Sequence, residues 1–177
     1  MPVDGAEFRD AAAHVATAVS VVTTLDRHGL PRGMTIGSLC SLSLDPPLVL
    51  FCVDRRAGAH SALCGADRFA VNVLAAHQQE TASRFAGPAD DRFSYPLPFT
   101  DGLPVVPDSL ATLVCSLHSL ADGGDHTIVI ARVERTRVSH GRPLVYYGRG
   151  FHRLASDNTA TPSPMRLSTT PTHAVDA

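Results

Sequence analysis

A mainly β fold, built from antiparallel strands that close into a small barrel with short helices at its corners, is the class this sequence predicts. Its strand candidates are short, rich in β-branched residues and separated by clusters of Gly, Pro and Asp. Strand and short helix alternate without the long crossovers of a parallel sheet, and closure removes the exposed edges such strands would otherwise present. A chain of 177 residues builds one such core without disulfides or structural metal, and is cramped for two.

Asp4 followed by Glu7 resembles a capping box, and Phe8, Ala11, Ala12, Val15 and Ala18 then share one helical face, so the N-terminus reads as a short amphipathic helix. Val19 to Leu25 is β-branched and threonine-rich, Arg27-His28-Gly29 is turn-like, and Pro31 to Ser43 resumes an extended pattern; the two segments form a hairpin. Asp45-Pro46-Pro47 then turns the chain into the apolar strand Leu48 to Val53. Short helices are expected at Ser61 to Gly65 and at His77 to Phe85, the second ended by Gly87-Pro88, with the strand Phe69 to Leu74 between them. Pro88 to Pro107 has little periodicity and reads as a long excursion over the surface. Leu110 to Leu120 and Thr127 to Val138 are two long strands around the turn sequence Ala121-Asp122-Gly123-Gly124-Asp125. Leu144 to Tyr147 closes the folded part, giving one domain over residues 1–154. Residues 155–177 form a Ser/Thr/Pro tail with too few apolar side chains to offset the entropy of ordering it, and disorder is expected there. Gly148-Arg149-Gly150 is a lone G-x-G without the third glycine and the helix of a dinucleotide fingerprint.

Composition removes several function classes. The formal charge of −2 is spread along the chain, which argues against a nucleic-acid partner. Every residue of the Lys/Arg class is arginine, so Schiff-base chemistry, pyridoxal-phosphate attachment and a phosphate-loop lysine are excluded. Cys40, Cys52, Cys64 and Cys115 include no C-x-x-C pair, and no basic-then-apolar signal region opens the chain. Reduced thiols in the cytoplasm and no metal site are the expectation. No apolar run is long enough to span a bilayer, so no membrane partner is expected.

The richest stretch runs from Gly33 to Val53. Thr35, Ser38 and Ser41 recur at every third residue, and Gly33 and Gly37 add bare backbone, so a flat ligand could lie close to the main chain. A strand, a turn and a strand with ordinary surface hydroxyls would read the same way.

Taken together, Gly33-Met34-Thr35, the Ser38 to Ser43 run, Asp45 to Leu50, Phe69 to Leu74, Gln78, Phe85-Ala86, Gly124-Asp125-His126 and Pro143 to Tyr147 resemble the flavin reductase family. That family includes the small reductase components of two-component flavin monooxygenases. The resemblance extends from about Phe8 to Leu154 and keeps the order of segments. It implies a split antiparallel β-barrel with short flanking helices and a homodimer with FMN or FAD near its interface. It also implies reduction of that flavin by NADH or NADPH and delivery of reduced flavin to a partner monooxygenase.

By the same resemblance Thr35, Ser38, Leu39, Cys40 and Ser41 line the flavin, with Phe85 and Tyr147 at the pocket walls. Cys40 also fits a small packing residue. Asp54-Arg55-Arg56 leads into a helix start at Ala59-His60-Ser61, and arginine beside a helix N-terminus is suited to the flavin phosphate. Arg55, His60 and Ser61, with Asp54 before them, are therefore cofactor-binding candidates, solvated loop charges being the plain alternative for either arginine. His126, directly after Gly123-Gly124-Asp125, is the catalytic candidate, placed beside the nicotinamide by the resemblance. His14, His28, His77, His118, His140 and His152 lack such context.

Hydride transfer between stacked rings asks the protein mainly to orient them, so a Ser-His-Asp or paired-carboxylate constellation is not needed. Two rivals are a pyridoxamine-phosphate-type oxidase, which calls for a strongly basic substrate pocket that the sequence lacks, and a non-catalytic flavin- or haem-binding module.

Overall fold

A computed structural model of the chain describes residues 2–155; from residue 156 onward the tail expected to be disordered lies outside the described residues. The chain begins with helix α1 (Gly5–Ala12), whose N-cap Asp4 accepts hydrogen bonds from the backbone N–H groups of Ala6 and Glu7. The helix ends earlier than its apolar pattern suggests, because Thr17–Ala18 becomes a short strand, β1, and none of its residues is buried. Phe8 and Val15 stand exposed instead of covering a core.

Seven strands form one antiparallel sheet: β2 (Ser20–Leu25), β3 (Pro31–Ile36), β4 (Cys40–Leu44), β5 (Pro47–Asp54), β6 (Arg68–Val73), β9 (Ala111–Gly123) and β10 (His126–Val138). Their spatial order is β3-β2-β6-β9-β10-β5-β4. The edges β3 and β4 do not pair with each other, so the barrel is split at the Gly37-Ser38-Leu39 link. The expected single extended segment from Pro31 to Ser43 is thus two strands, which end in different neighbours. Ser38 spans the split by accepting a hydrogen bond from the Cys52 backbone N–H at 2.9 Å.

The curled sheet encloses one core, with Val22, Phe51, Val53, Phe69, Val71, Cys115 and Val129 inside and Leu63 of helix α2 (His60–Gly65) plugging one end. Burial raises the Cys115 thiol to about 12, which leaves it a small packing residue. A second core lies outside β2, where Val19, Val21 and Leu74 meet Ala82 and Phe85 of helix α3 (Gln79–Ala86) and Leu144 of β11 (Leu144–Tyr147). Covered on both faces, β2 is buried from Ser20 through Thr24, which accounts for its nearly unbroken apolar and threonine content.

The stretch from Pro88 to Pro107 is only partly the surface excursion its composition suggests. A short hairpin, β7 (Phe99–Thr100) with β8 (Leu103–Pro104), tucks Leu103, Val105 and Val106 into the body of the domain. Buried Asn72 anchors it: its amide donates to the Val21 carbonyl and its oxygen accepts from the Val106 N–H. Tyr147 does not close the fold either, since β12 (Gly150–Arg153) pairs back on β11. Gly148 and Arg149, at φ 57° and 64°, form the two-residue turn between them, so the lone G-x-G is a hairpin signal.

Candidate active site

Alternation along β5 points Val49, Phe51 and Val53 into the barrel and leaves Leu48, Leu50, Cys52 and Asp54 on the outer face. Asp54 pairs across the ladder with His126, the first residue of β10. A cavity of about 370 Å³ opens over this corner, bounded by Met34 to Ser38 on one side, by Cys52, Asp54 and His126 on another, and by Tyr146. Ala12, Ala13, Val15 and Thr17 roof it. The roof is fastened by a hydrogen bond from the Gly148 N–H to the Ala13 carbonyl and by an ion pair between Arg149 and Asp10. A second cavity of about 530 Å³ shares Thr35 to Gly37 and Tyr146 with the first and adds Val19, Ala86 and Phe151 as an apolar wall. The two form one groove on either side of the Thr35 to Gly37 backbone.

His126 is 39% exposed, and its Nδ1 lies 2.7 Å from the Asp125 carboxylate. A carboxylate only accepts, so Nδ1 carries the proton and Nε2 is left for the cavity. Asp54 adds a second negative group, held below the usual carboxylate range chiefly by hydrogen bonds from the Arg56 side chain and backbone.

Of the residues singled out in the sequence, the structure brings Thr35, Ser38, Asp54 and His126 to one cavity. The Thr35 hydroxyl donates to the Ala82 carbonyl at 2.7 Å, so the groove there presents backbone and methyl surface. Leu39 packs against the main core, while Cys40 and Ser41 lie exposed on β4. His60 bonds the Thr127 hydroxyl at 2.9 Å, and Ser61 lines a separate groove beside Asp26 and Arg68. Phe85, on the inner face of α3, is fully buried and packs edge-on against Phe93. Arg55 is engaged with the β9–β10 turn.

Tyr147 lies outside the cavity; its neighbour Tyr146 lines it. Period-two alternation from the buried Leu144 was the available signal for Tyr146, as alternation from Val53 was for Cys52. The bare backbone at Gly33 has a use within the fold: a Cβ there would meet the Val22 carbonyl at 2.6 Å and the Phe85 ring at 3.3 Å. The glycine lets α3 dock.

The description of the flavin reductase-like domain matches residues 12–155, most of the chain and all of this site. The chain belongs to the flavin reductase family. It is 37% identical over 168 residues to the reductase subunit HsaB of a flavin-dependent monooxygenase from Rhodococcus jostii, covering 93% of this chain and 85% of that one. It is 39% identical over 150 residues to the NADH-dependent FMN reductase SmoA of Agrobacterium fabrum, covering 84% and 85%. Among solved structures, the NADH:FAD oxidoreductase SgcE6 of Streptomyces globisporus, in complex with NAD and FAD fragments, superposes with a TM-score of 0.81 at 36% identity, covering 90% of this chain and 99% of that one. As a flavin reductase, the chain shares its split-barrel type of fold with the solved relatives.

The groove suits a flavin. As an edge strand, β3 turns half of its backbone N–H and C=O groups away from the sheet, and these are the alternating donors and acceptors that a pyrimidine edge requires.

Proposed function

We propose that this flavin reductase takes hydride from NADH or NADPH to FMN or FAD and passes the reduced flavin to a partner monooxygenase, the working unit being the single domain to Leu154. Family membership carries the reaction class, and the joint cavity of Thr35, Ser38, Asp54 and His126 is the observation that supports the site. Bound flavin supplies the hydride-accepting ring; this chain's residues hold and orient the two rings. The backbone of Thr35 to Leu39 offers the flavin its polar edge, and the apolar wall of Val19, Ala86 and Phe151 excludes water from one flank. His126, with Nδ1 fixed on Asp125, presents Nε2 to the nicotinamide carboxamide, a placement that orients the hydride donor without proton transfer.

A homodimer is proposed as the working assembly. Leu42 and Leu44 on the edge strand β4 and Phe8 and Val15 near the N-terminus are exposed, Leu44 at 82%, and a second copy of the chain would cover such apolar surface. A cytoplasmic setting is supported by four free cysteines. Among the described residues no helix is long and apolar enough to cross a membrane.

The test is a steady-state assay of the purified chain with each nicotinamide nucleotide and with FMN, FAD or riboflavin. Loss of nicotinamide absorbance that depends on added flavin is expected. Flavin binding without nucleotide oxidation would sustain the binding-module reading instead.

A further inference from the structure

Arg55 follows Asp54 at the end of β5, and all three of its polar contacts go to one place. Its backbone N–H donates to the Asp125 carbonyl at 3.0 Å, its Nε donates to the Gly124 carbonyl at 3.0 Å, and its Nη2 meets Asp122 Oδ1 at 2.5 Å. These acceptors belong to the turn that delivers His126.

Beyond the β9–β10 ladder, which runs up to Gly123 and His126, that turn has few other supports. The outer end of β9 from His118 to Gly123 is exposed, and Gly124 and Asp125 are exposed beyond it. Gly124 sits at φ +76°, a left-handed conformation that glycine adopts without steric cost. The cross-strand pairs of His126 with Asp54 and with Gly123 fix the strand ends but not the two turn residues between them. The Asp125 carboxylate nevertheless has to stay 2.7 Å from His126 Nδ1 if the ring is to keep its tautomer and direction.

We propose that Arg55 is a positioning residue for the nicotinamide step: it clamps the Asp122 to Asp125 turn and through Asp125 orients His126. The proposal rests on His126 acting at the nicotinamide. A planar guanidinium suits the task because its fork spans two acceptors at once, a backbone carbonyl and a carboxylate, which an ammonium cannot do in one geometry. The same two donors are then unavailable to a flavin phosphate. The ion pair is open to solvent, with side-chain exposures of 48% for Arg55 and 79% for Asp122, so it contributes little to global stability. Its effect is on where the turn sits.

The test compares Arg55→Ala, Asp122→Ala, the double variant and His126→Ala. For each, kcat/KM for NADH at saturating FMN is measured with the dissociation constants of FMN and riboflavin and a thermal melt. Arg55→Ala is expected to lower kcat/KM for NADH by about 3–10-fold, with little change in melting temperature and an unchanged ratio of FMN to riboflavin affinity. Asp122→Ala should give part of the same loss, and the double variant should be no worse than Arg55→Ala, since both act on one contact. A selective loss of FMN affinity with normal NADH kinetics would make Arg55 a phosphate ligand and overturn the proposal. So would additive losses in the double variant, or an effect of His126→Ala that Arg55→Ala does not share. If His126→Ala itself leaves NADH kinetics unchanged, the His126 assignment fails first and the clamp loses its purpose with it.

Discussion

Strands β2 and β5 belong to one sheet, yet β2 is buried on both faces from Ser20 to Thr24 while β5 alternates between buried and half-exposed positions. The difference lies in what packs outside each. Helix α3 and strand β11 cover β2, and the outer face of β5 carries the groove with Cys52, Asp54 and, one strand over, His126. A doubly covered strand can hold only apolar or internally satisfied side chains, because each unpaired polar group there would be desolvated without a partner. A singly covered strand can carry charge. The fold thus packs β2 between two cores and leaves the outer face of β5 open at the candidate site.

The largest expected effect breaks the covered side. Phe85→Ala removes a fully buried ring from the outer core and should cost about 3–5 kcal/mol in a urea or thermal unfolding experiment, with flavin affinity per folded molecule unchanged. An unaltered melting temperature with weakened flavin binding would move Phe85 from the core to the site. His126→Ala tests the rim. Its kcat/KM for NADH should fall by about 10–100-fold, roughly 1.4–2.7 kcal/mol, with the fold intact, because the half-exposed ring supports little packing. Early melting with normal turnover per folded molecule would assign it to structure.

A smaller effect tests the proposed dimer interface on the β4 side. Leu44→Glu should raise the dimer dissociation constant at least tenfold, about 1.4 kcal/mol, as followed by light scattering across a dilution series. A monomeric wild-type mass at micromolar concentration would sink the dimer itself. The smallest effect concerns Asp26, which closes the β2–β3 hairpin and whose carboxyl is held below 3.8 chiefly by the Leu30 N–H. A depressed carboxyl stabilises the fold above its unfolded pKa and loses that contribution as pH falls through the folded one. Asp26→Asn should therefore lower the urea midpoint at neutral pH, and the gap to wild type should close in acid; a gap independent of pH would assign the effect to hydrogen-bond geometry alone.

Much of this molecule was legible in local pattern. The β2–β3 hairpin, the apolar run that became β5, the long pair β9 and β10 and the strand β11 all carry their own turn residues and alternation. The failures share a cause. Thr17–Ala18 continues the apolar period of α1, and only pairing with β11 makes it a strand. Nothing in the composition of Pro88 to Pro107 announces that Leu103, Val105 and Val106 are buried, since the partners of the first two, Ala70 and Val114, and those of Val106, Val19 and Leu144 among them, do not adjoin this stretch in sequence. At the candidate site, Thr35, Ser38 and His126, expected from motif, line one cavity, whereas the lining of that cavity by Tyr146 and not Tyr147 depended on which face of β11 looks onto the groove.

By itself the sequence determined the mainly β class, the family, the absence of lysine chemistry and the turn that presents His126, because short-range periodicity and turn chemistry act within a few residues. Tertiary structure alone decided which hydroxyls face the groove, that Gly33 makes room for Phe85, and that Arg55 grips the turn before His126. These outcomes depend on contacts between residues distant in sequence, and a side chain's role there is set by whichever neighbour satisfies its polar atoms or fills its volume first.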